Sequence, residues 1–239
     1  MAFTTPFPPI TDRAALFLLL VTLSVLPAVA HAQDGKAPYI GESLDGRACS
    51  SFDGTEQGYG PYDYRKYSSS DPTLKRVEDF HFTNQVQTLA GGENSQTPIG
   101  DLHYTLMAFP NHHKALYAMI RLHTGEDGEE WTSHAQFSAS PPPECFLQRA
   151  AAFTPEDPEI RLLYGIYLHR LEKSETAVDK YREALDIQEE FPEAWYNLGL
   201  AYLDLEKYEK AREAARRAYE EGYPLPGLRE KLAEAGYSL

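Results

Sequence analysis

The feature that most constrains this chain is a repeat. In residues 192–224, "PEAWYNLGLAYLDLEKYEKAREAARRAYEEGYP", small and aromatic side chains recur at fixed places. Counting Pro192 as position 1, Trp195 stands at 4, Leu198 and Gly199 at 7 and 8, Tyr202 at 11, Tyr208 at 17, Ala211 at 20 and Ala218 at 27. Both halves carry the apolar spacing of an amphipathic helix. Gly199 in the first and Ala211 in the second let two antiparallel helices approach closely, and Trp195 and Tyr202 fill the seam. Stepping back 34 residues to Pro158 gives Gly165 at 8, Leu168 at 11, Ala177 at 20, Tyr181 at 24 and Ala184 and Leu185 at 27 and 28. Position 4 is there Arg161, not an aromatic, which weakens the packing locally. Units of this kind bury their apolar faces only by stacking on one another, so the pattern predicts an all-α array.

The array extends in both directions. "CFLQRAAAFTPEDP" has Ala150 at position 27 of an earlier copy and Pro155 at 32, which makes it a second helix. Its first helix is "HHKALYAMIRLH", with Leu116, Met119, Ile120 and His123 at helical spacing, and the turn-rich stretch between them predicts a long loop inside this copy. Before it, "VEDFHFTNQVQTLAGG" and "GDLHYTLMAFP" read as one more, irregular pair. The expected divisions are residues 77–112, 113–157, 158–191 and 192–224, about four repeats with the first two irregular. Residues 225–239, "LPGLREKLAEAGYSL", read as a cap helix that keeps the last apolar face from water.

His112 and His113 invite a metal reading. Neighbours on a helix point about 100° apart, and helical ligand pairs are spaced i, i+3 or i, i+4. The pair reads instead as a helix start, with Pro110 ending one helix and Asn111 as the N-cap of the next. A metal-binding or small enzymatic role for the N-terminal half stays as the alternative, with His81, His103, His112, His113 and His134 as candidate ligands and Asp101 as a possible base.

Residues 1–32 read as a removable signal peptide: Arg13 precedes the apolar run 14–30, and Ala30-His31-Ala32 offers a small-x-small cleavage site. The rival reading is an uncleaved membrane anchor at 14–30, the only route to membrane contact. Residues 33–76 lack helical period and read as a loop-rich arm with Tyr59, Tyr62, Tyr64 and Tyr67: the tyrosines dock on the first helices, or form an aromatic platform for a peptide or glycan, or belong to a disordered leader. The net charge is −14, which repels phosphate backbones and argues against nucleic acid as a partner. The two cysteines, Cys49 and Cys145, form no C-x-x-C. In an oxidising compartment an even pair reads as one structural disulfide, the alternative being two buried thiols.

The two regular copies resemble the tetratricopeptide repeat, a 34-residue pair of antiparallel helices. Together with "GPYDYR", "VEDFHFT", "DLHYTLMAFPNHHKALYAM" and "RLLYGIYLHR", the chain is also similar to a group of exported bacterial tetratricopeptide proteins. The resemblance implies a right-handed superhelix with a concave groove lined by first helices at positions 2, 5, 9, 12 and 13. Carried over, the groove residues are Tyr117 and Arg121, then Leu162, Ile166, His169 and Arg170, then Tyr196, Leu200, Leu203 and Asp204. Some relatives clamp a peptide's terminal carboxylate with Lys and Asn at such positions; Tyr196 and Leu200 stand there here, so a clamp is not expected. The implied role is a non-catalytic interaction module, periplasmic or secreted, that holds a peptide or protein segment without a cofactor or small-molecule substrate. No G-x-S-x-G, Walker loop or zinc-ligand spacing argues for an enzyme. A self-associating scaffold is disfavoured by the capped end and the high charge. With Tyr196 facing the groove, Tyr196→Ala should leave melting almost unchanged, whereas Gly199→Trp should unfold the last repeat.

Overall fold

The computed structural model describes residues 36–53, 59–94, 96–125 and 139–239. The signal-peptide expectation, most of the loop after residue 125 and His134 lie outside these residues. Among the described residues ten α-helices follow one another and strands are absent: α1 Pro72–His81, α2 Asn84–Gln87, α3 Pro98–Ala108, α4 His113–Thr124, α5 Pro143–Phe153, α6 Pro158–Arg170, α7 Ser174–Ile187, α8 Pro192–Asp204, α9 Tyr208–Glu220 and α10 Gly227–Glu234. Five of them begin on a proline, whose missing N–H is one of the orphan donors of a first turn.

The first helix starts five residues before the expected edge of the array. Pro72 stands at its N-terminus, and the Asp71 carboxylate accepts from Thr73 N at 2.7 Å, so the Asp-Pro pair fixes the start. Asn111 is not the N-cap of α4, as the sequence suggested. His112 takes that place, its Nδ1 accepting from Ala115 N at 3.2 Å. Asn111, fully buried, instead ties the arm down: its Oδ1 accepts from Tyr64 N at 2.8 Å, and its Nδ2 donates to Asp63 at 2.8 Å and to Asp157 at 3.2 Å.

First helices α4, α6 and α8 pack side by side, and α5, α7 and α9 form the outer layer; α10 closes the stack against α8 and α9. The four small residues line the helix seams. Gly165 is buried where a Cβ would be driven into the ring of Tyr181 on α7, and Ala177 is fully buried nearby. At Gly199 a Cβ would meet Leu228 of α10 at 2.5 Å and the Ala211 carbonyl of α9 at 3.4 Å. Arg161, the departure at position 4, pairs with Glu183 of α7 at 3.3 Å, so a polar contact replaces the aromatic one. The turns repeat as well: Glu172 and Glu206 occupy the left-handed region at φ 58° and 55°, and the N–H after each bonds back to Leu168 O and Tyr202 O, which ends both first helices the same way.

Three apolar clusters are present among the described residues. The first gathers α3, α4 and α5 with Tyr39, Cys49 and Cys145; the second gathers α6 to α10, and Tyr164 and Ile166 touch both. The third is small: Leu74, Val77, Ala108 and Phe109. Cys49 and Cys145 form a disulfide. Beside it the arm is bonded to α5 by Leu44 N to Glu144 at 2.7 Å, by Gln148 to Glu42 O at 2.8 Å, and by buried Arg149 to Ala37 O. Tyr59, Tyr62, Tyr64 and Tyr67 surround the buried ring of Phe109, with Tyr62 and Tyr67 at centroid distances of 5.5 and 5.4 Å. All four tyrosines are thus packed, part-buried, against the fold.

Candidate functional site

The inner face of α4, α6 and α8 forms one cleft of about 820 Å³. Seven of the ten groove residues expected from the sequence line it: Tyr117, Arg121, Ile166, His169, Arg170, Tyr196 and Asp204. Leu162 does not. It is fully buried in the second core, because α6 lies between two cores and is apolar on most of its circumference. Its neighbour Leu163, one position on, reaches the cleft instead. Leu200 and Leu203 pack partly buried against the second core and are not part of the cleft wall. Sequence reasoning missed Glu159 and Glu193, both at position 2 of the groove set; the signal was present and was passed over. Lys114, Asn197, Tyr223 and Leu225 were missed too, the last two because they belong to the turn between α9 and α10.

Several cleft side chains are fixed by bonds to one another. The Arg170 guanidinium lies over the Tyr117 ring at 5.3 Å and donates to its hydroxyl at 3.0 Å and to Thr124 at 3.3 Å. His169 Nε2 donates to Asp204 at 2.6 Å, joining α6 to α8. Arg121 donates to Gln87 O at 3.3 Å. Tyr196 lies tilted against Tyr223, ring centroids 4.4 Å apart, and is only 8% exposed, so it is part of the core as well as of the wall. Burial pushes the Glu159 and Glu193 carboxyls above their ordinary range.

The histidines of the N-terminal half go to separate partners. His81 Nδ1 donates to Asp101 at 2.9 Å, and the ring stacks on Tyr104. Asp101 also accepts from Glu93 N and Asn94 N, which makes it the anchor of the 91–94 loop. His103 faces Tyr39 and Phe146; His112 caps α4 and donates from Nε2 to Glu78 at 3.1 Å; His113 donates to Asp157 at 2.9 Å. Among the described residues no three of His, Cys, Asp or Glu are grouped to hold a metal ion.

These histidines give the fold a pH dependence of definite sign. Burial holds His123 down at about 4, and burial also lowers His112 and His103. Between the unfolded value near 6.5 and about 4, the unfolded chain binds protons that the folded one refuses, so stability falls as the pH falls through that window. Glu159 and Glu193, being raised, act in the opposite sense but are part-exposed and weaker. His123→Gln should therefore flatten the loss of stability between pH 7 and 4.5, by on the order of 2 kcal/mol in urea denaturation. An unchanged slope would show that His123 does not carry it.

Residues 168–206 match a TPR repeat family, and residues 192–221 match the tetratricopeptide repeat family. No curated protein matches the chain. The matched spans cover α7, α8 and α9 and the end of α6, where the helix-pair geometry is most regular. The fold is an all-α tetratricopeptide superhelix, and its repeats are of a kind that generally serves protein–protein interaction.

Proposed function

We propose that this protein is a non-catalytic module of the cell envelope that holds a peptide or protein segment in the cleft of α4, α6 and α8. One observation carries this reading: three successive first helices present a continuous cleft in which Arg121, Arg170, His169 and Asp204 are already held in place. A preset wall lowers the cost of ordering side chains on binding. Its mixture of tyrosine, arginine and aliphatic groups is the composition that interfaces favour. Of the histidines considered for a metal or catalytic role, His81, His112 and His113 are bonded to three different carboxylates, and His103 faces the Tyr39 hydroxyl and the Phe146 ring. For the compartment, support comes from the Cys49–Cys145 disulfide and the apolar leader of the sequence, since disulfides persist in oxidising surroundings. No described helix is long and apolar enough to cross a membrane.

Site-specific photo-crosslinking tests the groove. A benzophenone side chain at Tyr117, 38% exposed on the cleft wall, should give covalent adducts in intact cells. The same group at Glu213, exposed on the outer layer, should not. Adducts of equal yield from both positions, or from Glu213 alone, would move the working surface away from the cleft.

A further inference from the structure

His112 joins three parts of the fold at one corner, and the way it does so requires a neutral ring. It is fully buried at the start of α4, where its Nδ1 accepts from Ala115 N at 3.2 Å. A ring nitrogen that accepts carries no proton, so the hydrogen of the neutral ring sits on Nε2 and is donated to Glu78 of α1 at 3.1 Å. The ring is also a bed for the arm. Tyr64 lies tilted against it with centroids 4.2 Å apart, while Phe82 and Phe109 meet it edge-on.

A second proton has no place in this arrangement. It would sit on Nδ1 and point at the Ala115 N–H, turning the cap into two opposed donors. The carbonyl of His112 is already taken by Leu116 N at 3.0 Å. A cation at this end also opposes the dipole of α4. The charged and titratable groups facing the corner are Glu78 from α1 and His113 from α4, with Asp157 holding His113 from the turn before α6. The arm adds the Tyr64 phenol, with the Asp63–Arg65 pair beside it. Burial lowers the proton affinity of the ring first, Glu78 works against it, and the His113 charge lowers it further.

Once the ring swings into water it takes up a proton at the ordinary value near 6.5. Each pH unit below that multiplies the open population by about ten, for as long as the closed ring refuses the proton. What opens is small and defined: the first turn of α4, Tyr64 on its ring, and Asn111, whose Oδ1 accepts from Tyr64 N at 2.8 Å. His113 and Lys114 of that turn line the cleft, and so does Phe82, which rests on the His112 ring. None of these groups belongs to the second core.

We infer that His112 is a pH-sensitive latch: in mild acid its protonation frees the first turn of α4, lifts the arm around Tyr64 and disturbs that end of the cleft. The latch is a property of the fold and holds whatever the cleft binds.

Amide hydrogen exchange of the purified chain by NMR, at pH 7 and at pH 4.5 and corrected for intrinsic exchange rates, tests it. The amides of Tyr64, Ala115 and Leu116 should lose at least tenfold in protection at the lower pH. Low urea should add nothing to that loss, because a local opening exposes little surface. The amides of Tyr181 and Ala184, in the second core, should respond to urea as global unfolding does. His112→Asn supplies a capping oxygen that does not titrate, so in this variant the three amides should stay protected; a melting curve checks that it folds. A reading on the wild-type chain needs no variant: by nitrogen NMR, Nδ1 of His112 should be bare at neutral pH and gain its proton as Ala115 loses protection. The latch is overturned if the three amides stay protected in acid, or open only together with Tyr181 and Ala184 and with the same urea response. Equal loss in His112→Asn, or a protonated Nδ1 beside a still protected Ala115, overturns it as well.

Discussion

Gly165→Val is expected to cost about 3 kcal/mol or more, whereas Gly199→Ala should stay within about 1 kcal/mol of the parent. Both glycines occupy the same repeat position, and the two substitutions probe what each one faces: a branched side chain against a rigid ring at 165, a single methyl against a flexible side chain at 199. At Gly165 the obstacle is the ring of Tyr181, fully buried with Ala177 and Ala184 on the same helix; a rigid ring moves as a whole and not by the turn of a terminal methyl. At Gly199 the closest atom is the end of the flexible Leu228 side chain on the terminal helix. There the helix-propensity gain of replacing glycine, about 1 kcal/mol, offsets the shift of one methyl group. Tryptophan at 199 is another matter, since an indole can be accommodated only by expelling Leu228 and with it α10. Urea denaturation of Gly165→Val and Gly199→Ala decides the comparison. Equal costs would mean that the seams are not the tight contacts described here.

The regular repeats were legible because their information is local. Gly165, Ala177, Gly199 and Ala211 recur at 34 residues, and an interval of that kind survives any uncertainty about tertiary contacts. The first helix was placed too late because an apolar pattern was followed while the Asp71–Pro72 start signal was passed over. Asn111 shows the opposite failure. It has the ordinary chemistry of an N-cap, but three groups distant in sequence, Asp63, Tyr64 and Asp157, compete for its amide, and that competition exists only in three dimensions.

The cleft was legible in part, and for a physical reason. Position numbers carried over from the family assume that each first helix shows one face to the groove. The middle helix α6 is buried on more than one side, so Leu162 was drawn inward and Leu163 took the wall. Tyr196 corrects a second expectation. Its ring packs against Tyr223 and is part of the second core, so Tyr196→Ala removes buried aromatic surface and should not leave melting unchanged. Side chains from the closing turn, Tyr223 and Leu225, complete the cleft from beyond the repeat, where no periodicity could announce them.

Removing the disulfide is expected to produce the largest loss of stability in the molecule: Cys49→Ala/Cys145→Ala should lower the unfolding free energy by about 4 kcal/mol. The two residues lie 96 apart, and a cross-link closing a loop of that length removes chain entropy from the unfolded state worth about 4–5 kcal/mol. Both cysteines are fully buried in the first core, so two alanines leave a small void that adds to the loss. The arm does not hang on the disulfide alone. Tyr39 is buried edge-on against Phe146 at 5.6 Å, Arg149 reaches the Ala37 carbonyl, and Glu144 holds Leu44 N while accepting from Tyr167. Those contacts keep residues 36–53 docked in the folded variant, so the cost should appear in global unfolding and not as a detached arm. Urea denaturation read by tryptophan emission, with amide hydrogen exchange at Tyr39 and Leu44, separates the two outcomes. A loss below about 1 kcal/mol would show that the unfolded chain gains little freedom from opening this loop. Rapid exchange at Tyr39 in the folded variant would show that the cross-link, and not the buried ring and carboxylate, holds the arm to α5.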